Sequence, residues 1–233
     1  MPWLQRVSVQ AIHRLLHRLH IHYKRGRRYL HSPDPEYDAK LDRVWAAKAL
    51  VATDPQRFVL VYEDELTYYH RPSVAQGYVL ANTDAPRADQ GWGSKCWKRV
   101  AASLNVSDGQ LIYWQRSAFD AKTMLGFYQT VEAAYPKAEV VYMALDNWRT
   151  HFQADIVSQM ASKGSKLVLL SLPTYAPWTN PVEKVWRKLY AEVLHLHEQV
   201  NDWPSLQASV QEWLEQYSNG STSLLRYVGL YPD

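Results

Sequence analysis

The chain has 233 residues and a mass of 27.1 kDa, enough for one large domain or for one domain with an appendage. Apolar residues make up 47% and charged residues 21%, values that exclude wholesale disorder and a membrane bundle. The lone cysteine, Cys96, excludes an internal disulfide and a multi-cysteine zinc site. Because the apolar runs are too short for a bilayer and no secretory signal opens the chain, we expect a cytoplasmic protein with no membrane partner.

The positive charge is concentrated at the start of the chain. Residues 1–31 contain seven Lys or Arg residues and no acid, whereas the rest of the chain has 19 basic and 23 acidic residues. This asymmetry predicts an N-terminal segment that binds a polyanion and a body with a different task. The alternative is a solvated basic helix that has no partner.

Residues 8–21 have the periodicity of an amphipathic helix, with Ser8 as a candidate N-cap. A short basic segment punctuated by Gly26 follows, as a wing follows the last helix of a helix-turn-helix. We therefore predict that residues 1–31 are a partial helix-turn-helix and wing. His13 and His17 lie one turn apart, but no further ligand cluster follows, which favours phosphate contacts over zinc. The predicted DNA contacts are Arg14, Arg18, Lys24, Arg25, Arg27 and Arg28.

The rest of the chain has the pattern of an α/β domain. Residues 32–56 are predicted to be a linker and a helix, because two prolines flank Asp34 and helical spacing follows. Continuous apolar runs predict strands buried on both faces at 58–62, 140–145 and 167–170. Alternating patterns predict antiparallel strands at 78–82, 99–104 and 110–115. Further helices are predicted at 119–134, 150–163, 181–196 and 204–217. Residues 57–233 therefore predict a mixed sheet flanked by helices.

Acidic residues follow the predicted buried strands. The first run ends at three consecutive acids with Asp64 at their centre, the second ends at Asp146, and the third leads through a proline-rich loop to Glu183. Ligands bind where the strands of open α/β sheets end, so these side chains are predicted to share one rim. An all-oxygen set suits hard divalent cations such as Mg²⁺, and a pair of such ions promotes phosphodiester chemistry.

Three segments resemble the mariner-like DDE transposases of bacterial insertion sequences. They are VLVYEDELTYY (59–69), LDNWRTH (145–151) and LPTYAPWTNPVEKVWRKLY (172–190). The similarity covers about 57–190, and 8–50 resembles the end of the family's helix-turn-helix region and its linker. The chain departs from the family in lacking the first DNA-binding helices, which indicates an N-terminally truncated or split copy. The 36 residues between Asp146 and Glu183 are a couple more than in familiar members.

The resemblance implies a ribonuclease-H-like fold and DNA transposition, by cleavage at transposon ends and strand transfer into target DNA. It implies that Asp64, Asp146 and Glu183 are both the catalytic residues and the metal ligands. It also implies two Mg²⁺ ions, with Mn²⁺ as a substitute, and a homodimeric synaptic complex on double-stranded DNA. The expected address is the nucleoid of a prokaryotic cytoplasm. The supporting residues are Asn147, His151 and Asn180.

Each site residue also has a structural interpretation. Glu183 fits a capping box with Asn180, Asp146 fits a turn, and a neighbour of Asp64 is the alternative strand ligand, although alternation places it on the other face. His151 fits a packing or capping role as well as a contact with phosphate. Trp148 and Trp178 fit either packing or stacking on an unpaired base. Arg187, one turn after Glu183, fits either an ordinary helix ion pair with Glu183 or a DNA contact.

Two other functions are consistent with the same sequence. A nuclease of the same fold would cut DNA without joining it. A catalytically inactive DNA-binding remnant or regulator would keep the fold and do no chemistry. Intact acids at all three matched positions favour an enzyme.

Overall fold

The structure, a computed structural model, describes residues 8–22, 31–90, 95–162 and 164–231. The chain divides into two compact units, residues 1–31 and residues 32–233. Within the described residues, every helix is too short or too polar to cross a bilayer.

The first unit contains helix α1, Val9–Arg18. The Ser8 side chain accepts a hydrogen bond from the Ala11 N–H at 3.2 Å and so caps the helix, as its position predicts. Arg14 and Arg18 are exposed on α1. The other four predicted DNA contacts, Lys24, Arg25, Arg27 and Arg28, lie outside the described residues.

The second unit is built on one five-stranded mixed sheet. Its strands are β1 (Phe58–Tyr69), β2 (Trp97–Asn105), β3 (Leu111–Arg116), β4 (Val140–Leu145) and β5 (Leu167–Ser171). The spatial order is β3-β2-β1-β4-β5. β1 and β2 are antiparallel, as are β2 and β3, whereas β1, β4 and β5 run parallel. The central strand is therefore β1, which has β2 and β4 as its neighbours and is covered on both faces.

Helices cover both faces of this sheet. They are α2 (Tyr37–Thr53), α3 (Ala121–Ala134), α4 (Ala154–Ser162), α5 (Val182–Leu189), α6 (Trp203–Glu215) and α7 (Thr222–Val228). One apolar core joins the sheet to α2, α5, α6 and α7, and a second core joins its other face to α3 and α4. Alternate residues of β1 enter different cores, with Leu60 in the first and Val61 in the second. The mixed sheet flanked by helices confirms the predicted fold class.

β1 continues well beyond its parallel neighbour. Its pairing with β4 covers Phe58 to Tyr62, whereas its pairing with β2 runs on to Tyr69. The strand is 12 residues long and β4 only six. The pairing of β1 with β4 therefore ends where the acidic residues of β1 begin. Beyond that point the two strands are no longer hydrogen-bonded, which leaves room for a cleft at the edge of the sheet.

The strand predicted at 78–82 is wrong. These residues have no strand pairing and are exposed, and Asn82 has a left-handed φ of 67°. A segment with an alternating pattern forms a strand only where another strand is available to pair with it, and residues 78–82 have no such pairing with the described part of the chain. The helix predicted over 181–196 also ends early, because α5 widens into a π turn at Tyr190–Leu194 and His195 is extended.

Candidate active site

The three consecutive acids of β1 point to opposite faces of the sheet, as strand alternation requires. Asp64 faces α5, where its Oδ2 accepts a hydrogen bond from the Trp186 indole N–H at 2.9 Å. Glu63 and Glu65 face the other side, where their carboxylates lie 3.9 and 3.8 Å from His151 Nε2. The face assigned to Asp64 by alternation is the face it occupies.

Asp146 is the first residue after β4 and lies beside this edge of β1. Its Oδ1 accepts a hydrogen bond from the Trp148 backbone N–H at 2.8 Å, which turns the chain after the strand. The same oxygen lies 3.2 Å from His151 Nε2. The side chain of Asp146 is 58% exposed, so its second oxygen faces the cleft while the first is held by the protein.

Asn180 fixes the start of α5 against β1. Its Nδ2 donates to the Glu63 carbonyl oxygen at 2.8 Å, and its Oδ1 accepts from the Val182 N–H at 3.1 Å. Its own backbone N–H donates to Pro177, so the reciprocal bond of a capping box with Glu183 is not formed. Glu183 therefore lies in the exposed first turn of α5 with its carboxylate directed to the cleft.

The loop between β5 and α5 is secured from two sides. Asn147 Nδ2 donates to the Leu172 carbonyl at 2.9 Å and to Thr174 Oγ1 at 2.8 Å. From the linker, Asp34 accepts a hydrogen bond from the Thr174 N–H at 2.7 Å and pairs with Lys40 at 2.8 Å. These bonds hold the pKa of Asp34 well below its usual value. The segment before α2 is thus part of the support of the cleft wall.

One open cleft of about 560 Å³ brings the predicted acids together. Asp64, Asp146 and Glu183 all line it, and so do Asn147 and Asn180. Each carboxylate comes from a different element, namely β1, the end of β4 and the first turn of α5. Three positions that are far apart in sequence therefore converge on a single concave surface.

Burial and like charge make two of these carboxyls poor acids. Burial, together with the charge of Glu183, raises the pKa of Asp64 to about 7, although the Trp186 hydrogen bond opposes this increase. Burial also raises the pKa of Glu183, with a small contribution from the charge of Asp146, and the charge of Arg187 opposes the increase. The interpretation of Arg187 as an ordinary partner of Glu183 on one helix fits this effect.

Asp146 behaves differently from its neighbours. Burial alone would raise its pKa, but the His151 imidazole 3.2 Å away and the hydrogen bond from the Trp148 N–H together outweigh burial and hold the pKa below its usual value. Asp146 is consequently the member of the cleft that stays ionised most readily.

The sequence did not predict the buried cluster behind Asp146. Glu63 and His151 are completely buried, and the Tyr128 hydroxyl lies 2.6 Å from His151 Nδ1. Burial, with the charges of nearby carboxylates, raises the pKa of Glu63 well above its usual value and that of Glu65 to about 8, although Arg99 opposes the latter. The run of three consecutive acids directly after an apolar stretch was the available signal in the sequence. Tyr128, which contacts His151, lies on α3, and nothing in the sequence pattern indicates this contact.

The aromatic residues named from sequence occupy different positions. Trp148 lines the cleft and packs against His151, with the Arg99 guanidinium 5.2 Å from its ring. Trp178 is about half exposed and donates to the Tyr37 hydroxyl at 3.1 Å. His13 and His17 have ring centroids 5.5 Å apart, and neither belongs to a group of three metal-ligating residues in the described ranges.

A mixed sheet of this order, with acidic residues in β1 just past its pairing with β4 and directly after β4 itself, is typical of the ribonuclease-H-like class of folds. The sequence model of one family, described as DDE superfamily endonuclease, matches residues 59–207. The chain belongs to this family. The predicted family resemblance is confirmed.

Known proteins similar to the chain agree with this placement. An uncharacterized 39 kDa protein of insertion element IS630 from Shigella sonnei is 22% identical over 212 residues, which are 91% of this chain. The chain spans 60% of the length of that relative. The Mos1 mariner paired end complex with Mn matches 96% of this chain and 67% of its own, with 16% identity and a TM-score of 0.62. The Mos1 strand transfer complex gives the same TM-score at 16% identity, over 96% of this chain and 66% of its own. These structures support the fold.

Proposed function

We propose that the chain is the catalytic part of a DNA transposase, which cleaves phosphodiester bonds at transposon ends and joins the freed 3′ ends to target DNA. The observation that carries this proposal is the convergence of Asp64, Asp146 and Glu183 on one open cleft. Family membership supports the class of chemistry, and the IS630 and Mos1 proteins are both products of mobile elements by name.

The donor set of the cleft fits divalent cations. Its three carboxylates repel one another, since the charge of Glu183 raises the pKa of Asp64 and that of Asp146 raises the pKa of Glu183. Carboxylate oxygens are the ligands that Mg²⁺ and Mn²⁺ prefer, and the open cleft leaves room for water and phosphate oxygens. Asp64, Asp146 and Glu183 would hold two Mg²⁺ ions, with Mn²⁺ as a substitute. When bound, such a pair supplies positive charge to the attacking and leaving oxygens of a phosphodiester.

The protein contributes position and charge. The Trp186 indole and the backbone of Trp148 fix one oxygen of Asp64 and of Asp146, which leaves the other oxygens for ligands. Asn180 sets the distance of Glu183 from β1 by bonding both elements. No side-chain nucleophile is required, because water and then a DNA 3′-hydroxyl attack the phosphorus.

Double-stranded DNA is the proposed substrate and target. An acidic cleft binds DNA only with bridging cations, whereas the basic α1, with exposed Arg14 and Arg18, is suited to direct phosphate contacts. Residues 1–31 are proposed as that contact segment, 32–56 as linker and helix, and 57–233 as the catalytic domain. The paired-end Mos1 complexes support a homodimer, and the bacterial relative supports action at the nucleoid in the cytoplasm.

The test measures cleavage and joining separately. Supercoiled plasmid reports nicking, and a labelled oligonucleotide with a free 3′-hydroxyl reports joining to that plasmid, each with Mg²⁺, Mn²⁺ or EDTA. Asp146→Asn and Glu183→Gln are expected to lower both activities more than about 100-fold, because even partners outside the metal ligands typically contribute 10–100-fold. Asp42→Asn and Glu212→Gln, two exposed acids of α2 and α6, are the matched controls.

Each outcome separates the candidate functions. Nicking without joined product would identify a nuclease instead of a transposase. DNA binding without metal-dependent nicking or joining would identify a regulator. Equal activity of Asp146→Asn and the Asp42→Asn control would contradict the assignment of the cleft as the active site.

A further inference from the structure

The face of β1 opposite Asp64 carries a second cluster of potential metal ligands. Glu63, Glu65 and His151 each offer one donor atom, and these atoms lie within 4.8 Å of one another. The distances from His151 Nε2 to the carboxylates are 3.9 and 3.8 Å. Two ligands at about 2.1 Å from one ion are at most about 4.2 Å apart, so both distances fit a shared ion.

The donor atoms of this cluster are buried and lack hydrogen bonds among the described residues. Both oxygens of Glu63, Oε1 of Glu65 and Nε2 of His151 are inaccessible to solvent, and none has a hydrogen-bond partner in the described part of the chain. Buried polar atoms are nearly always paired, and a buried carboxylate pair needs a positive partner. Arg99 acts on Glu65, but it is one cation against a cluster that also borders Asp146.

The remaining contacts orient the imidazole for a metal. The Tyr128 hydroxyl engages Nδ1 at 2.6 Å, which leaves Nε2 as the ring atom that faces the carboxylates. Histidine ligands of metals are commonly held in this way, by a hydrogen bond at the other ring nitrogen. Glu65 also lines the open cleft, which gives an ion a route to the otherwise closed cluster.

We propose that Glu63, Glu65 and His151 bind one divalent transition-metal ion, separate from the ions of the cleft. One imidazole and two carboxylates suit Mn²⁺ or Zn²⁺ better than Mg²⁺, which favours all-oxygen sites. The ion joins the middle of β1 to the loop after β4. Because His151 also lies 3.2 Å from Asp146, this ion fixes the position of a cleft residue without touching DNA. The site does not depend on the proposed transposase activity.

The experiment uses the full chain, stripped of metal with EDTA and titrated with Mn²⁺. Electron spin-echo measurements detect ¹⁴N coupled to bound Mn²⁺, which this cluster provides and an all-carboxylate site does not. We expect the nitrogen coupling to persist in the Asp64→Asn, Glu183→Gln chain and to disappear in the Glu63→Gln, Glu65→Gln chain. It is also expected to persist in the His13→Asn, His17→Asn chain, which removes surface imidazoles.

Thermal unfolding gives a second readout. Saturation at about 100 times the dissociation constant stabilises a chain of this size by roughly 5–10 °C in melting temperature, and the Glu63→Gln, Glu65→Gln chain loses that increase. Glutamine keeps the shape of glutamate, so the metal-free variant should unfold at or above the temperature of the metal-free native chain. Absence of nitrogen coupling, or its loss only with His13 and His17, would overturn the site. Retention of the coupling and of the Mn²⁺-dependent increase in the glutamine variant would do the same.

Discussion

Asp64→Asn is expected to make the metal-free protein more stable at neutral and alkaline pH while it abolishes cleavage. The pKa of Asp64 is about 7 in the fold and 3.8 for an ordinary aspartate. An acid whose pKa is raised by folding binds more protons in the folded state, so folding stability falls as the pH rises from about 3.8 to about 7. Above that range the cost of the charge is constant.

The size of the effect follows from the same difference. Raising the pKa from 3.8 to about 7 corresponds to about 4 kcal/mol at most. Local relaxation and water in the cleft reduce this figure, and asparagine retains an acceptor for the Trp186 indole. We therefore expect the free energy of unfolding of the variant to exceed that of the native chain by about 2 kcal/mol at pH 8. For a chain of this length the melting temperature rises by roughly 4–8 °C.

Urea unfolding with EDTA at pH 4 and at pH 8 measures the effect. The variant and the native chain should have similar free energies of unfolding at pH 4 and should separate at pH 8. Asp42→Asn, on the exposed side of α2, is the matched control and should follow the native chain at both pH values. Identical pH dependence of Asp64→Asn and the native chain would refute the burial of a charge at this position. Added Mg²⁺ should narrow the gap by stabilising the native chain alone.

Three further variants test the support of the site and the packing of the fold. Asn180→Ala should lower the free energy of unfolding by about 1–3 kcal/mol in urea titrations, because it removes two buried hydrogen bonds; the exposed Asn201→Ala should cost much less. Gly109→Ala should destabilise more than Gly164→Ala, since both have φ above +60° but only Gly109 would place a Cβ 2.4 Å from the Ser221 carbonyl oxygen; similar melting temperatures would contradict the packing there. Trp186→Phe removes the donor to Asp64 and so raises the pKa of that carboxyl further; Mg²⁺ binding, measured by calorimetry across pH, should then require a higher pH, and an unchanged profile would count against the hydrogen bond.

The sequence predicted the parts of the fold that depend on local pattern. Alternation along β1 correctly separated Asp64 from its two neighbours, because a strand turns successive side chains to opposite faces. The end of β1 was placed too early, at residue 62, because polar side chains interrupt the apolar run although pairing with β2 continues to Tyr69. Continuous apolar runs correctly identified the three parallel strands, because a strand that is covered on both faces carries apolar side chains at successive positions.

Features that depend on distant contacts were not predictable from sequence. Tyr128 lies on α3, and only the packing of that helix on the sheet brings its hydroxyl to His151. Asp34 was interpreted as part of a linker, yet it bonds the loop at Thr174 across 140 positions of sequence. The assignment of Asp64, Asp146 and Glu183 as metal ligands stays a prediction until the variants are measured.

The extension of β1 beyond its pairing with β4 also determines where the chain tolerates insertions and deletions. The loop that begins at Asp146 is not tied to a ladder, so the gain or loss of a residue later in that loop would alter its course and leave the strands as they are. One residue added within β1, by contrast, would exchange its two faces, turning Asp64 away from the cleft and its neighbours into it. Descendants of this sequence should therefore vary in the length of the loops and keep the length of the central strand.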